Sequence, residues 1–267
     1  MDADADITGI AALLADPARV AMLDALFDGD ALSAGELARC ARVTPPTASA
    51  HLRRLLKGGL VAVQAQGRHR YYRLAGPAVA DAMEALGVIA PPRPVRSLRQ
   101  SQRAQALRFA RTCYDHLAGA VGVAIADALL RAALRPVGDR DYDLTAHGER
   151  LLGDLGVDVA ELRRRRRAFA RVCLDWTERS PHLSGALGAG LLARVLDLGW
   201  LVAGRVPRGL ALTDAGRDGL VRVFGCDTAA LPDRAVGGWP GAEATTPPRA
   251  ARQAEPASLA TRSRRLR

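Results

Sequence analysis

Two hundred and sixty-seven residues are too many for one small module and few for three, so two globular parts are expected. A hydrophobic content of 49% with 25% charged residues suits a chain that buries a core, and 38 Lys+Arg against 28 Asp+Glu (net +10) favours an anionic partner over an acidic, self-solvating surface. No apolar run approaches the roughly 18–20 residues of a membrane span. The start, Met1–Asp6, is acidic where a secretory leader would be basic, and Cys40, Cys113, Cys173 and Cys226 are too sparse for a disulfide scaffold, so a cytoplasmic protein without a membrane partner is expected.

In chain order, Ile7–Leu14 reads as a short apolar helix. Asp16 caps a second helix, Pro17–Phe27, with Val20, Leu23 and Phe27 on one face and Asp28-Gly29-Asp30 as its stop. Ser33 and Glu36 form a capping box for a third helix that turns Leu37, Cys40 and Ala41 inward. Thr44 then caps a helix from Pro45 to Lys57. Its stripe Ala48, Leu52 and Leu55 faces the core; Pro46, Ala50, Arg53, Arg54 and Lys57 point away, with Thr47 and Ser49 on the flanks. Two helices joined by a tight turn, the second small and basic on its outer side, make the helix-turn-helix pattern. Gly58-Gly59 ends it, and the strands Leu60–Gln64 and Arg70–Leu74, joined by Ala65–His69 with Gly67 at the turn, form a basic wing.

Residues 37–80 hold eight basic side chains and no acid, whereas residues 1–36 hold Arg19 alone against eight acids. Such an uncompensated block is expected to lie on a polyanion. The expected DNA-facing set is Thr44, Pro46, Thr47, Ser49, Ala50, His51, Arg53, Arg54 and Lys57 on the helix, with Gln66, Arg68, His69 and Arg70 on the wing. Thr47, Ser49, Ala50 and Arg53 would approach base edges, and Arg54, Lys57, Arg68 and Arg70 would hold phosphates.

The segments Ala15-Asp16-Pro17-Ala18-Arg19, Glu36-Leu37-Ala38, Ser49–Leu55, Gly59-Leu60-Val61 and Gly67-Arg68…Tyr71-Tyr72-Arg73-Leu74, in this order and spacing, resemble the ArsR/SmtB (arsenic-repressor) family over about residues 7–88. The resemblance implies a winged-helix homodimer that represses transcription and releases DNA when an effector binds. It also implies dimer contacts from about Ile7–Leu14 and Ala78–Val88. The family's metal sites do not carry over: its cysteine motif would fall on Ser33-Ala34-Gly35, and Asp81-Ala82-Met83-Glu84 offers no paired histidines.

Beyond a stiff linker, Ala90-Pro91-Pro92-Arg93-Pro94, the chain repeats itself. Phe109–Asp115 recurs as Phe169–Asp175, His116–Gly122 as His182–Gly188 after an insertion, and Leu144–Gly148 as Leu212–Gly216. Each unit reads as a helix, a small-residue helix, a hairpin and a closing helix capped by Thr145 or Thr213. The expected fold is mainly α with short β-hairpins: a winged helix-turn-helix domain (7–88), a linker and linker helix (89–107), and a helical C-terminal domain of two winged-helix-like repeats (108–234, repeats 108–162 and 168–231). A disordered basic tail (235–267) closes the chain. The C-terminal domain is read as an effector or dimerisation domain, with extra DNA contact through Arg163–Arg167 and the wing near Arg205 and Arg208 as the alternative.

Cys113 and His116 fall at i, i+3 on what reads as one helical face, with Cys173 and His182 as counterparts. Two thiolates and two imidazoles suit a tetrahedral ion, but Cys173 and His182 stand nine apart. Repeated core positions, with Asp115 and Asp175 holding nearby arginines, are the preferred reading, and no cofactor is expected. No phosphate loop, G-x-S-x-G elbow or H-E-x-x-H argues for an enzyme. The expected function is a sequence-specific, dimeric DNA-binding regulator, a repressor released by an effector such as a small molecule. The alternatives are a non-specific architectural nucleic-acid binder and a metal- or thiol-responsive sensor using the Cys/His set.

Overall fold

The computed structural model describes residues 5, 7–27, 31–67, 69–91 and 94–232, which build two apolar cores. The linker residues Pro92 and Arg93, the stop at Asp28–Asp30, wing residue Arg68 and the tail expected over 235–267 lie outside the described residues.

In the first unit, α1 (Ile7–Leu14) and α2 (Pro17–Ala25) flank Asp16, whose carboxylate accepts from the Ala18 and Arg19 N–H groups. The buried face of α2 is Arg19, Met22 and Leu23, with Leu26 just beyond it, and Val20 is only half-buried. The face is thus rotated from the expected stripe because Arg19 turns inward, donating from Nε to Leu13 O (2.6 Å) and from Nη2 to Ala12 O (2.9 Å) to hold α1 in place. β1 (Leu32–Ser33) precedes α3 (Ala34–Ala41), where the Ser33/Glu36 capping box is present. Cys40 is exposed, contrary to expectation. The inward stripe is Leu37 and Ala38 with Ala34 and Ala41, and this i, i+3, i+4, i+7 pattern leaves position 40 off its edge.

α4 (Pro45–Lys57) buries Ala48, Leu52 and Leu55 as expected. β2 (Val61–Gln66) and β3 (His69–Leu74) pair from Val61↔Leu74 out to Gln66↔His69, so the wing is longer than the five-residue loop reading allowed. Gly67, at φ +58°, takes the left-handed conformation that a tight hairpin turn demands. β1 adds to β3 (Leu32↔Tyr72), a strand too short to leave a periodic signal. α5 (Pro77–Ile89) and α6 (Leu98–Phe109) complete the connection.

The second unit runs β4 (Arg111–Cys113), β5 (His116–Ala118), α7 (Gly119–Ala132), β6 (Leu134–Pro136), β7 (Asp141–Leu144) and α8 (Ala146–Asp154). After α9 (Val159–Arg164) come β8 (Ala170–Leu174), β9 (Pro181–Ser184), α10 (Gly185–Asp197), β10 (Leu201–Ala203), β11 (Leu210–Leu212) and α11 (Asp214–Phe224). Both halves therefore run hairpin, helix, hairpin, helix. The segments Phe109–Asp115 and Phe169–Asp175, expected as helices, contain the strands β4 and β8 instead, and the unit is mixed α and β rather than helical. In β4 the inward side chains are Arg111 and Cys113, two apart, which a strand places on one face and a helix does not. The halves interlock. β7 pairs with β8 in a four-stranded sheet ordered β6-β7-β8-β9, while β4 meets the other second hairpin through an Arg111↔Gly209 bridge and a Leu210 N–H bond to Ala110 O (2.8 Å).

Closing helices α8 and α11 sit hard against the preceding backbone. Thr145 and Thr213 cap them by accepting from the Gly148 and Gly216 N–H groups, and a Cβ on either glycine would lie 2.2 Å from a carbonyl oxygen, of Ala133 or Trp200. Gly216→Ala is expected to lower stability by about 1–3 kcal/mol through overpacking against backbone that cannot yield. Exposed Gly153 has nothing within 4 Å, so Gly153→Ala should leave stability equal or raise it by about 0.5–1 kcal/mol. Urea unfolding of the two variants checks the contrast.

Candidate functional site

The exposed side of α4 is built by its cap. Thr44 Oγ1 accepts from the Thr47 N–H (3.4 Å) and lies 2.8 Å from Thr47 Oγ1, while Ser49 Oγ donates to Pro45 O (3.0 Å). Thr44, Pro46, Thr47, Ser49, Ala50, Arg53, Arg54 and Lys57 are all exposed, as are Gln66, His69 and Arg70 of the wing. Ser33, Gly35, Ser49, Arg53, His69 and Arg70 line one open groove between the start of α3, α4 and the wing, so helix and hairpin share a continuous surface. Among the described residues no ion pair engages Arg53, Arg54, Lys57 or Arg70. His51 departs from the expected set. Its side chain is 14% exposed, with Nδ1 3.4 Å from Arg19 Nη1 and 4.0 Å from Asp16 Oδ2, because position 51 borders the buried stripe and faces α2.

Three of the five arginines in the run Arg163–Arg167 are committed internally, while Arg165 and Arg166 are exposed. Arg163 pairs with Asp143 (2.6 Å) and Glu149 (2.9 Å) and lies over the Phe169 ring, Arg164 pairs with Glu161, and Arg167 pairs with Asp115. Arg208 of the second wing is buried: it reaches Asp24 Oδ1 (3.0 Å) on α2 and Glu84 Oε1 (2.9 Å) on α5 and stacks over Phe27. That wing clamps the second unit onto the first, and its Arg208 is not presented to DNA.

Glu84 also meets Arg111 Nη2 (3.4 Å), and Arg111 reaches Asp175 Oδ2 (3.2 Å), all three residues being buried. The Asp175 carboxylate further accepts from the Gly119 N–H (2.7 Å), the Thr177 N–H (2.8 Å) and hydroxyl (2.6 Å), and the Glu178 N–H (3.0 Å). Burial alone would raise its pKa, but Arg111 and these donors hold it far below the carboxylate range. Sequence reasoning anticipated Asp115 and Asp175 beside arginines but missed Glu84, whose partners lie 27 and 124 residues away.

The four Cys/His positions meet. Cys113↔His116 and Cys173↔His182 are cross-strand partners in the hairpins β4–β5 and β8–β9, not neighbours on a helical face. Spacings of three and nine are therefore one arrangement closed by turns of different length. All four residues are buried, and one donor atom from each lies within 4.8 Å of every other. The two Nε2 atoms are 3.2 Å apart, and each Nδ1 faces a carboxylate, His116 to Asp115 Oδ1 (3.4 Å) and His182 to Asp175 Oδ2 (3.5 Å). The second contact lacks hydrogen-bond geometry, leaving His182 Nδ1 a buried polar atom without a hydrogen-bond partner. Hydrogen bonding with the Cys113 thiol, then with His116 and His182, pushes Cys173 down to about 2, and the same bond together with burial pushes Cys113 well up. Burial opposes charge on His116, yet bonds to Asp115 and Cys173 leave its pKa above the ordinary imidazole value.

A helix-turn-helix domain family matches residues 14–64. The chain is similar to the HTH-type transcriptional regulator YdfF of Bacillus subtilis (strain 168), 45% identical over 212 residues that span 79% of this chain and 94% of that protein. A match of that length cannot be confined to the first unit. Among solved structures, the homodimeric winged helix-turn-helix DNA-binding domain Mb0332 from Mycobacterium bovis is 29% identical, covering 33% of this chain and 89% of that one (TM-score 0.30). The cadmium metal-sensor CmtR from Mycobacterium tuberculosis is 31% identical over 35% of this chain and all of that one (TM-score 0.28).

Proposed function

Because this chain belongs to the helix-turn-helix transcriptional regulators and its first unit resembles the ArsR/SmtB winged-helix family, we propose that it works in the cytoplasm as a homodimeric repressor of a pseudo-palindromic operator, released when an effector acts on the second unit. The observation that carries this reading is the surface shared by α4 and the wing: small side chains at the helix start, exposed guanidiniums behind them, and no described carboxylate neutralising them. Thr47, Ser49, Ala50 and Arg53 approach bases; Arg54, Lys57, Arg68 and Arg70 hold phosphates. Residues 7–88 are the DNA-binding domain, 89–107 the linker, and 108–234 the effector domain, whose halves 108–162 and 168–231 we read as winged-helix-like repeats from their shared element order. Selection of a preferred duplex from a random library, followed by competition with random DNA, tests it. Equal affinity for both would favour the architectural alternative.

The dimer reading is supported by apolar surface on α1 and α5. Ile7 is 73% and Ile89 78% exposed, with Leu86 beside it, while Asp81, Glu84 and Gly87 on the other side of α5 face the second unit. Ile89→Glu is expected to shift the protein to monomers in sedimentation and weaken duplex binding at least tenfold. A dimer unchanged by this substitution would place the interface elsewhere.

A further inference from the structure

Two of the chain's five histidines and two of its four cysteines, drawn from hairpins about sixty residues apart, converge on one buried point. We propose that Cys113, His116, Cys173 and His182 form a tetrahedral site for a zinc-class divalent ion (Zn²⁺ or Cd²⁺), and that this ion is the effector of the regulator proposed above, a role that rests on that reading.

Three features support the site. Its donor set is the Cys₂His₂ combination of closed tetrahedral centres, in which metal–sulfur distances near 2.3 Å and metal–nitrogen distances near 2.0–2.1 Å put donors roughly 3.3–3.8 Å apart. The imidazole Nε2 atoms already stand at 3.2 Å, and a contraction of about 1 Å brings the widest pair, at no more than 4.8 Å, into range. Both rings also turn Nε2 to the centre and Nδ1 to an aspartate, the outer contact that orients a ligating histidine. The His182 Nδ1, which lacks a hydrogen bond, gains one by a small ring movement toward Asp175 when Nε2 is drawn to an ion. Finally, two thiolates and two neutral imidazoles balance a dication, so the loaded site buries no net charge, and the ligands stand on paired strands whose register fixes them.

The link to DNA binding is the same aspartate. Asp175 touches His182 and Arg111; Arg111 touches Glu84 of α5; and Glu84 touches Arg208, which reaches Asp24 of α2. Ion binding that moves His182 therefore pulls on the junction holding the two units together.

The test loads the full-length, reduced and chelated chain with Zn²⁺ or Co²⁺. The proposal expects one ion per chain, a cobalt spectrum with thiolate charge-transfer and tetrahedral d–d bands, and protection of Cys113 and Cys173 from alkylation while Cys40 remains reactive. His182→Gln and Cys113→Ser should abolish the cobalt spectrum, and Cys40→Ser should leave it intact. If the cluster variants fail to fold, the wild-type spectrum and stoichiometry still decide. Affinity for the selected duplex should differ at least tenfold between loaded and chelated protein. Failure to bind a stoichiometric ion, an octahedral cobalt spectrum, or recovery of Cys113 and Cys173 as a disulfide would overturn the site while leaving duplex selection intact. A stoichiometric ion with unchanged duplex affinity would overturn the effector role.

Discussion

Asp175→Ala is expected to lower the unfolding free energy by about 3–5 kcal/mol, the range for breaking one partner out of a buried ionic group. The carboxylate is fully buried, faces Arg111 and accepts from three backbone N–H groups, so its removal strands a guanidinium and three donors at once. Arg111 already carries one unpartnered atom, Nε, and keeps only Glu84 as a counter-charge. By contrast, Glu161→Ala removes a pair whose side chains are 67% and 51% exposed, and a change within roughly 0.5 kcal/mol is expected. Urea unfolding of both variants in chelator, so that no ion contributes, gives the comparison. A loss below about 1 kcal/mol for Asp175→Ala would mean the junction is held by Glu84 and Arg208 instead.

Arg53→Ala and Thr47→Ala are expected to cost about 1–3 kcal/mol on the selected duplex, roughly 5- to 150-fold, with little change on random DNA. Both side chains stand on the exposed side of α4, Thr47 at its first turn and Arg53 over the groove shared with the wing. Arg54→Ala is expected to weaken both duplexes alike and to reduce the salt slope by about one, because a phosphate contact carries no base identity. Arg68→Ala should behave in the same way. Salt titrations on the two duplexes separate these outcomes. If Thr47 and Arg53 variants kept the wild-type ratio of selected to random affinity, the base-reading face would not be α4.

The first unit was legible because its signals are local. Thr44-Pro45-Pro46 starts a helix, Ala48, Leu52 and Leu55 orient it, and Gly58-Gly59 ends it, each acting within one or two turns. The misreadings there come from edges of the same patterns. Cys40 and His51 each border a buried stripe, and one turned out to the solvent and the other in against Arg19. In the second unit the repeat was visible but its structure was not. The segments leading to Cys113 and Cys173 were expected as helix, yet they form hairpins whose outer strands pair with the opposite half.

Sequence alone determined the cationic helix, the wing, the helix-turn-helix character of the first unit and the recurrence of Cys, His and Asp, since these rest on propensity, capping and charge within short spans. Only the tertiary structure decided that Cys113, His116, Cys173 and His182 share a point, that Arg208 plugs into Glu84 and Asp24, and that Asp175 bridges the two. Those meetings depend on strand register and on the docking of one half against the other. A one-residue slip in either hairpin would put its cysteine and its histidine on opposite faces, and nothing in a linear spacing of three or nine specifies that register.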